Sequence, residues 1–159
     1  MNEVARIRLA SIADAPQLAA LSRDTIEQGL PWRYREAEMQ RFIRSPRYNV
    51  IVADAADGST AGFAVMGYGE NDAYLALLAV APSLRRRGIA RQMLDWLLRT
   101  AEVAGVESVD VELREDNPPA HRLYESRGFA PAGRRAGGYY GVVNQTRMRL
   151  QLRTAAPSS

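Results

Sequence analysis

The chain has 159 residues, 47% hydrophobic and 25% charged, with a formal net charge of +3. That is enough for one globular domain with a full core, expected over residues 1–153 with a disordered tail at 154–159, and the charge demands no nucleic-acid partner. With no cysteine, one histidine and every basic residue an arginine, the composition excludes disulfides, a thiol nucleophile, a thiolate metal site and a catalytic lysine amine, and no metal is expected. No apolar run approaches the roughly 20 residues that span a bilayer, and Met1 to Leu9 lacks the apolar block of a signal peptide, so a cytoplasmic protein without a membrane partner is expected.

Ala5 to Leu9 reads as a first strand, with Ile7 and Leu9 on one face. Ser11 or Asp14 is placed to cap the next helix and Pro16 sits in its first turn, with Leu18, Leu21, Thr25 and Ile26 inward as far as Gly29. Gly29 to Tyr34 is a loop carrying Trp32 and Tyr34, and a short helix over 35–44 turns Met39, Phe42 and Ile43 inward. Tyr48 to Asp54 and Ala61 to Gly67 are partner strands about an Asp57-Gly58 turn. Tyr74 to Ala81 is a near-continuous apolar strand, hence central and covered on both faces. A long helix follows, with Gly105 as its C-cap. Ser108 to Arg114 is the next strand, parallel to the previous one because a helix connects them. Asn117 caps a last helix, with Pro118 and Pro119 in its first turn and Gly128 at its end. Phe129 to Arg134 and Val143 to Leu152 are predicted to form a final antiparallel pair around a loop, Arg135 to Gly141.

The chain is organised around Leu75 to Leu98, where an apolar strand ends at Ala81-Pro82, a basic turn follows and a helix begins. Strand, donor-rich turn and helix N-terminus together hold phosphate well. Gly88 has no Cβ to keep an anion from the main chain. The first-turn amides near Gly88 to Arg91 lack intrahelical partners and carry the positive end of the helix dipole. Arg85, Arg86, Arg87 and Arg91 add guanidinium charge suited to phosphate. Neither a P-loop nor a dinucleotide fingerprint fits, since there is no lysine and Gly88 is the turn's one glycine. The competing reading is an arginine-rich surface loop. The hexapeptide Arg85-Arg86-Arg87-Gly88-Ile89-Ala90 resembles the Q/R-x-x-G-x-G/A pyrophosphate loop of the GCN5-related N-acetyltransferases. The resemblance implies acetyl-CoA as acetyl donor, with Arg85 through Arg91 at its diphosphate. It also implies that the main chain of Leu78, Ala79 and Val80 pairs with the pantetheine arm.

On the strand Ser108 to Arg114, Val109, Val111 and Leu113 face one way, and Asp110, Glu112 and Arg114 the other. A strand beside a parallel partner is expected to be buried on both faces, so its carboxylates need a reason: water reaches that face, or a carboxylate is wanted there. On the following helix Tyr124 shares a face with Ala120 and Gly128, which turns its hydroxyl toward the sheet. His121 lies on the polar side, as a surface residue. The signature N-x-x-A-x-x-L-Y-x-x-x-G-F of the same superfamily matches at Asn117, Ala120, Leu123, Tyr124, Gly128 and Phe129. The segment V-E-L-R followed by L-Y is similar to that of the ribosomal-protein N-terminal alanine acetyltransferases. That likeness implies Glu112 as base, Tyr124 as acid, and Asn117 and Ala120 against the cofactor. Asp110 is a weaker candidate, and a water chain is the alternative to Glu112.

The resemblance implies a fold with a mixed, mostly antiparallel sheet of about seven strands, containing a splayed parallel pair and flanked by about four helices. It implies direct attack of a primary amine on the thioester in a ternary complex, the amine being a protein N-terminus or a small molecule. Trp32, Tyr34 and Tyr139, with Tyr140 beside it, either line the acceptor pocket or pack as filler. The rivals are a non-catalytic acyl-CoA sensor and, more distantly, a DNA reader built on the arginine run. Either a monomer or a homodimer is consistent with the sequence.

Overall fold

The computed structural model describes residues 6–139, 141 and 143–153. Ala5, Tyr140 and the tail 154–159 lie outside the described residues. Among the described residues seven strands form one mixed sheet in the order β1-β2-β3-β4-β5-β7-β6, and four α-helices accompany it. By packing, the chain divides into two compact units, Met1–Gly67 with Ala76–Leu97, and Tyr68–Leu75 with Leu98–Ser159.

The first unit holds β1 (Arg6–Leu9), α1 (Ala15–Asp24), α2 (Glu36–Arg44), β2 (Tyr48–Asp54) and most of β3 (Thr60–Tyr68). It also holds the second half of β4 (Asp72–Val80) and the start of α3 (Ile89–Ala104). β1 pairs antiparallel with β2, and β2 with β3. α1 buries Ala15, Leu18, Ala19 and Ser22, the spacing of one helix face. With Met39 of α2, the apolar three (Ala15, Leu18 and Ala19) pack on Val50, Val52, Phe63, Val65, Leu77 and Ala79. A large apolar side chain contributes about 1.5–3 kcal/mol when fully buried, so this cluster is what holds the two helices on the sheet. α1 ends at Asp24, short of the expected Gly29. Thr25 turns its hydroxyl onto Leu21 O at 2.6 Å, and Glu27 takes the Ser22 hydroxyl at 2.9 Å, so local side-chain bonds replace the next helical turn.

Arg8 fastens the edge strand. Its guanidinium meets Asp14, which sits in the 3-10 turn before α1, at 2.8 and 2.9 Å and Asp54 of β2 at 2.8 Å. The Arg8 hydrogen bond holds the Asp14 carboxyl down to about 2. Gly62 is required by close approach, because a Cβ there would lie 2.6 Å from Ala79 O and 2.9 Å from Met93 Cε.

β4 corrects one expectation. It is not covered on both faces: Ala73, Leu75, Leu77 and Ala79 are buried, whereas Tyr74 is 39% exposed and Ala76 and Leu78 are half-buried. A strand of small and aliphatic residues reads as doubly buried even where one face is left partly open.

The second unit contains the first half of β4, the end of α3, β5 (Ser108–Arg114), α4 (Pro118–Ser126), β6 (Ala130–Tyr139) and β7 (Val143–Gln151). β4 and β5 are the parallel pair, with registered partners from Asp72↔Ser108 to Leu75↔Val111. β7 pairs antiparallel with β5 along the whole length of β5, and with β6 on its other side. β6 is longer than the sequence suggests. Arg135 to Tyr139, expected as loop, are strand, with a register shift between Arg135↔Gln145 and Tyr139↔Val143. The glycine pair there absorbs the irregularity that a bulge introduces. The Asn144 side chain accepts from Gly137 N at 3.0 Å, fixing the bend.

Candidate active site

In the first unit, the turn after β4 has the geometry of an anion cradle. Arg86 stands at φ +65° and Gly88 at φ +80°. Arg86 is the sole non-glycine residue with positive φ among the described residues, a conformation that costs an L-residue about 1–2 kcal/mol. Left-handed residues alternating with ordinary ones turn successive amides toward one point, a concavity for oxyanions. The first α3 bond reaching back to this turn is Gln92 N to Gly88 O, 3.0 Å, so the amides from Gly88 to Arg91 precede the intrahelical ladder. Arg85, Arg86, Arg87 and Arg91 are exposed and Gly88 and Ala90 half-buried. Ile89, 1% exposed, anchors the helix in the core and offers a ligand its main chain only. The same holds for Ala79 and Val80, whose side chains are buried, while Leu78 is half-buried. These residues fit a diphosphate-bearing cofactor.

The acceptor candidates Trp32 and Tyr34 have packing work to do. Trp32 donates Nε1–H to Tyr34 O at 3.2 Å, and the guanidiniums of Arg35 and Arg23 stand over its ring at 4.5 and 5.3 Å from the ring centre. Tyr34 packs on Phe42, centroids 6.0 Å apart. Buried Glu27 shapes their loop by accepting from Arg33 N at 2.6 Å and Tyr34 N at 3.1 Å.

In the second unit, β5 alternates as its sequence predicts. Val109, Val111 and Leu113 are buried and Glu112 and Arg114 half-buried. Asp110 is also buried, 4% exposed. Its carboxylate accepts from Arg147 Nη2 at 2.6 Å and from Arg149 Nε and Nη2 at 2.6 and 3.1 Å. The Arg149 hydrogen bond, aided by Arg147 and opposed by burial, holds the Asp110 carboxyl below the ordinary range. Glu112 meets neutral donors instead: Tyr74 Oη at 3.0 Å and Gln145 Nε2 at 2.5 Å, both on Oε2. The sequence singled out neither Tyr74 nor Gln145. The signal for the first was a lone phenol in a strand of small aliphatics, and for the second there was none.

Tyr124 is 4% exposed and stands edge-on to Phe129, centroids 5.4 Å apart and planes at 63°. Phe129 N donates to Tyr124 O at 3.1 Å as the chain leaves α4, so the helix end and the ring fix each other. Asn117 accepts from Ala120 N at 3.3 Å as the helix cap, which gives both residues a structural role beside the expected cofactor contact. Tyr139 ends β6, paired with Val143. Half-buried His121 sits on α4. Among the described residues no cluster of three or more carboxylate or histidine side chains could hold a metal ion, and no helix is long and apolar enough to cross a membrane.

Comparison with known proteins bears on both units. Residues 17–129 match the sequence model described as the acetyltransferase (GNAT) family. The chain is 38% identical over 133 residues to the [ribosomal protein bS18]-alanine N-acetyltransferase of Salmonella typhimurium, covering 84% of this chain and 86% of that one. It is 30% identical over 133 residues to the mycothiol acetyltransferase of Brachybacterium faecium, covering 80% of this chain but only 37% of that longer protein. In three dimensions it is similar to the crystal structure of the ribosomal-protein-S18-alanine N-acetyltransferase from Escherichia coli, with a TM-score of 0.83 at 26% identity, covering 98% of this chain and 99% of that one.

Proposed function

Because the chain belongs to the GNAT family of acetyltransferases, using acetyl-CoA as donor and a primary amine as acceptor, we propose that the amine is the α-amino group of a protein or peptide N-terminus. The observation that carries this reading is the 38% identity, over most of both chains, to an enzyme named for acetylating the alanine of a ribosomal protein. The chemistry of Glu112 agrees. An α-amino group has a pKa near 8 and is about one unit from free base at neutral pH, against about three for a lysine side chain. A carboxylate is a weak base, better matched to the smaller demand.

Acetyl-CoA supplies an activated thioester when bound. The turn from Arg85 to Arg91 grips its diphosphate, and the main chain of Leu78 to Val80 pairs with the pantetheine arm. Asn117 and Ala120 add contacts at the start of α4. Glu112 accepts a proton from the incoming ammonium, directly or through a water, leaving the nitrogen lone pair to form the new C–N bond. Tyr124 gives its phenolic proton to the departing sulfur as the C–S bond breaks, and the second proton of the attacking nitrogen passes through water to the phenolate, which leaves a neutral amide and restores the phenol. Acid–base help of this kind contributes about 10²- to 10⁴-fold, and alignment of the reactants contributes more. This route needs neither nucleic acid nor a membrane surface, and a monomer or a homodimer serves it equally. Trp32, Tyr34 and Tyr139 are assigned to the acceptor side.

The test is CoA release from acetyl-CoA against synthetic peptides beginning with Ala, Ser or Met, alongside polyamines, amino acids and aminoglycosides. Turnover with N-terminal peptides that vanishes when their α-amine is blocked is expected. Turnover restricted to small amines would replace the peptide reading, and tight acetyl-CoA binding without turnover for any acceptor would mark a sensor.

A further inference from the structure

Glu112 is held by two long neutral side chains that reach it diagonally across the sheet. In register its neighbour on β7 is Arg147, and Gln145 lies opposite Arg114. On β4, Tyr74 lies opposite Asp110. Diagonal neighbours are about 7–8 Å apart, within reach only of long or aromatic side chains. Both Tyr74 Oη and Gln145 Nε2 bond the same oxygen, Oε2, so Oε1 accepts from neither. Arg147, the direct neighbour, is turned away to Asp110, as is Arg149. Gln145 is itself braced: a Cβ on Gly138 would fall 2.5 Å from its Cβ and 2.7 Å from its Oε1, so only glycine at 138 leaves this amide its place.

We propose that Tyr74 and Gln145 are positioning residues of the acetyl transfer, pinning Glu112 by Oε2 and presenting Oε1 to the proton of the acceptor amine. This rests on Glu112 being the base. Two donors on one oxygen leave the carboxylate a single orientation, and a base acts through geometry before basicity. A flexible carboxylate would spend most of its time pointing elsewhere. Neutral donors do this without fixing a cation beside the incoming ammonium, which an arginine partner would do. Gly138 then serves the same end from one strand further out.

A double-mutant cycle tests this, with CoA release from acetyl-CoA and an alanine-initial peptide as the assay. Tyr74→Phe removes one oxygen, and Gln145→Leu removes the amide at similar volume. Each is expected to lower kcat about tenfold, the size of one hydrogen bond to a charged group, with the KM for acetyl-CoA unchanged. In a Glu112→Gln background neither should lower kcat further, because the group they orient has gone. Equal effects in both backgrounds, with Glu112→Gln itself slow, would overturn the positioning role and leave the base standing. Full activity of Glu112→Gln would remove the base and the positioning role together. Melting temperatures and acetyl-CoA binding of each variant identify one that has merely lost its fold. Gly138→Ala, which reaches Gln145 only by displacing it, should reproduce the Gln145→Leu defect, and wild-type kcat in that variant would refute the bracing.

Discussion

Replacing Asp110 by asparagine tests how the two carboxylates of β5 divide their work. The substitution keeps the shape of the side chain and removes its charge. Three hydrogen bonds from Arg147 and Arg149 end on it, and bonds to a charged group are worth about 1.5–3 kcal/mol each when buried. Both arginine side chains are 47% exposed, so water replaces much of what they lose, and a net destabilisation of about 1–2 kcal/mol is expected. For a chain of this size that lowers Tm by about 2–8 °C. The carboxyl is held below its ordinary value in the folded state, so its contribution is present above the unfolded Asp pKa of about 4 and fades as pH falls below it. Urea unfolding followed by circular dichroism should therefore show a gap between wild type and Asp110→Asn that is full at pH 7 and narrows steadily below about pH 4. The activity changes for a different reason. Arg147 faces Glu112 across the strands, and once released from Asp110 it is free to bond the Glu112 carboxylate. We expect kcat to fall about tenfold, and Asp110→Asn with Arg147→Gln to recover most of it. A stability gap equal at pH 7 and pH 3 would refute the charge argument. Undiminished kcat in the single variant would show that Asp110 does not keep the arginine from Glu112.

Tyr124→Phe should lower kcat about 10- to 100-fold without abolishing it, with acetyl-CoA affinity by calorimetry unchanged; an unchanged rate at every pH would remove the acid role. Gly88→Ala places a Cβ where φ is +80°, a conformation that costs an alanine about 1 kcal/mol, and should raise the acetyl-CoA KM several-fold while leaving kcat with saturating donor nearly intact. Asp14→Asn removes a carboxylate that Arg8 holds down from 3.8 to about 2. At about 1.4 kcal/mol per unit, reduced for partial water access, it should cost about 1–2 kcal/mol at pH 7. About two-thirds of that difference should be gone by pH 2.5, as unfolding titrations at the two pH values would show.

Much of the fold was legible because its signals are local. The proline-containing first turns of α1 and α4, the asparagine cap of α4 and the apolar spacing of α3 each lie within a few residues. The helix between β4 and β5 fixed their parallel pairing by connection length alone. The turn from Arg85 to Arg91 was readable for the same reason, since a strand, a glycine and a helix start are contiguous. The left-handed Arg86 was not, because nothing in an arginine's identity favours positive φ. The end of α1 and the true length of β6 depended on side-chain hydrogen bonds and cross-strand pairing, which pattern does not carry. The open face of β4 was misjudged because alternation disappears when both faces use aliphatic residues.

The Glu112 site shows where sequence reading stops and what replaces it. Asp110-x-Glu112 on β5 and Arg147-x-Arg149 on β7 carry complementary charge at the same period, and the period alone does not say which arginine meets which carboxylate. The structure gives both arginines to Asp110 and leaves Glu112 to a phenol and an amide. The difference follows from burial. Asp110 is the more deeply enclosed carboxylate, and an enclosed charge needs charged partners. A half-buried carboxylate such as Glu112 is partly satisfied by water and tolerates neutral ones. The chain thereby keeps on one strand face a carboxylate paired with two arginines and a second that meets neutral donors. Exchanging the two, Asp110→Glu with Glu112→Asp, should then lose activity although composition and net charge are unchanged. The longer acid would sit in the arginine pair, and the shorter one would fall back from both donors and from the acceptor amine. Retention of wild-type kcat in that double variant would mean that a carboxylate anywhere on this face suffices, and that neither the reach of Tyr74 nor that of Gln145 matters.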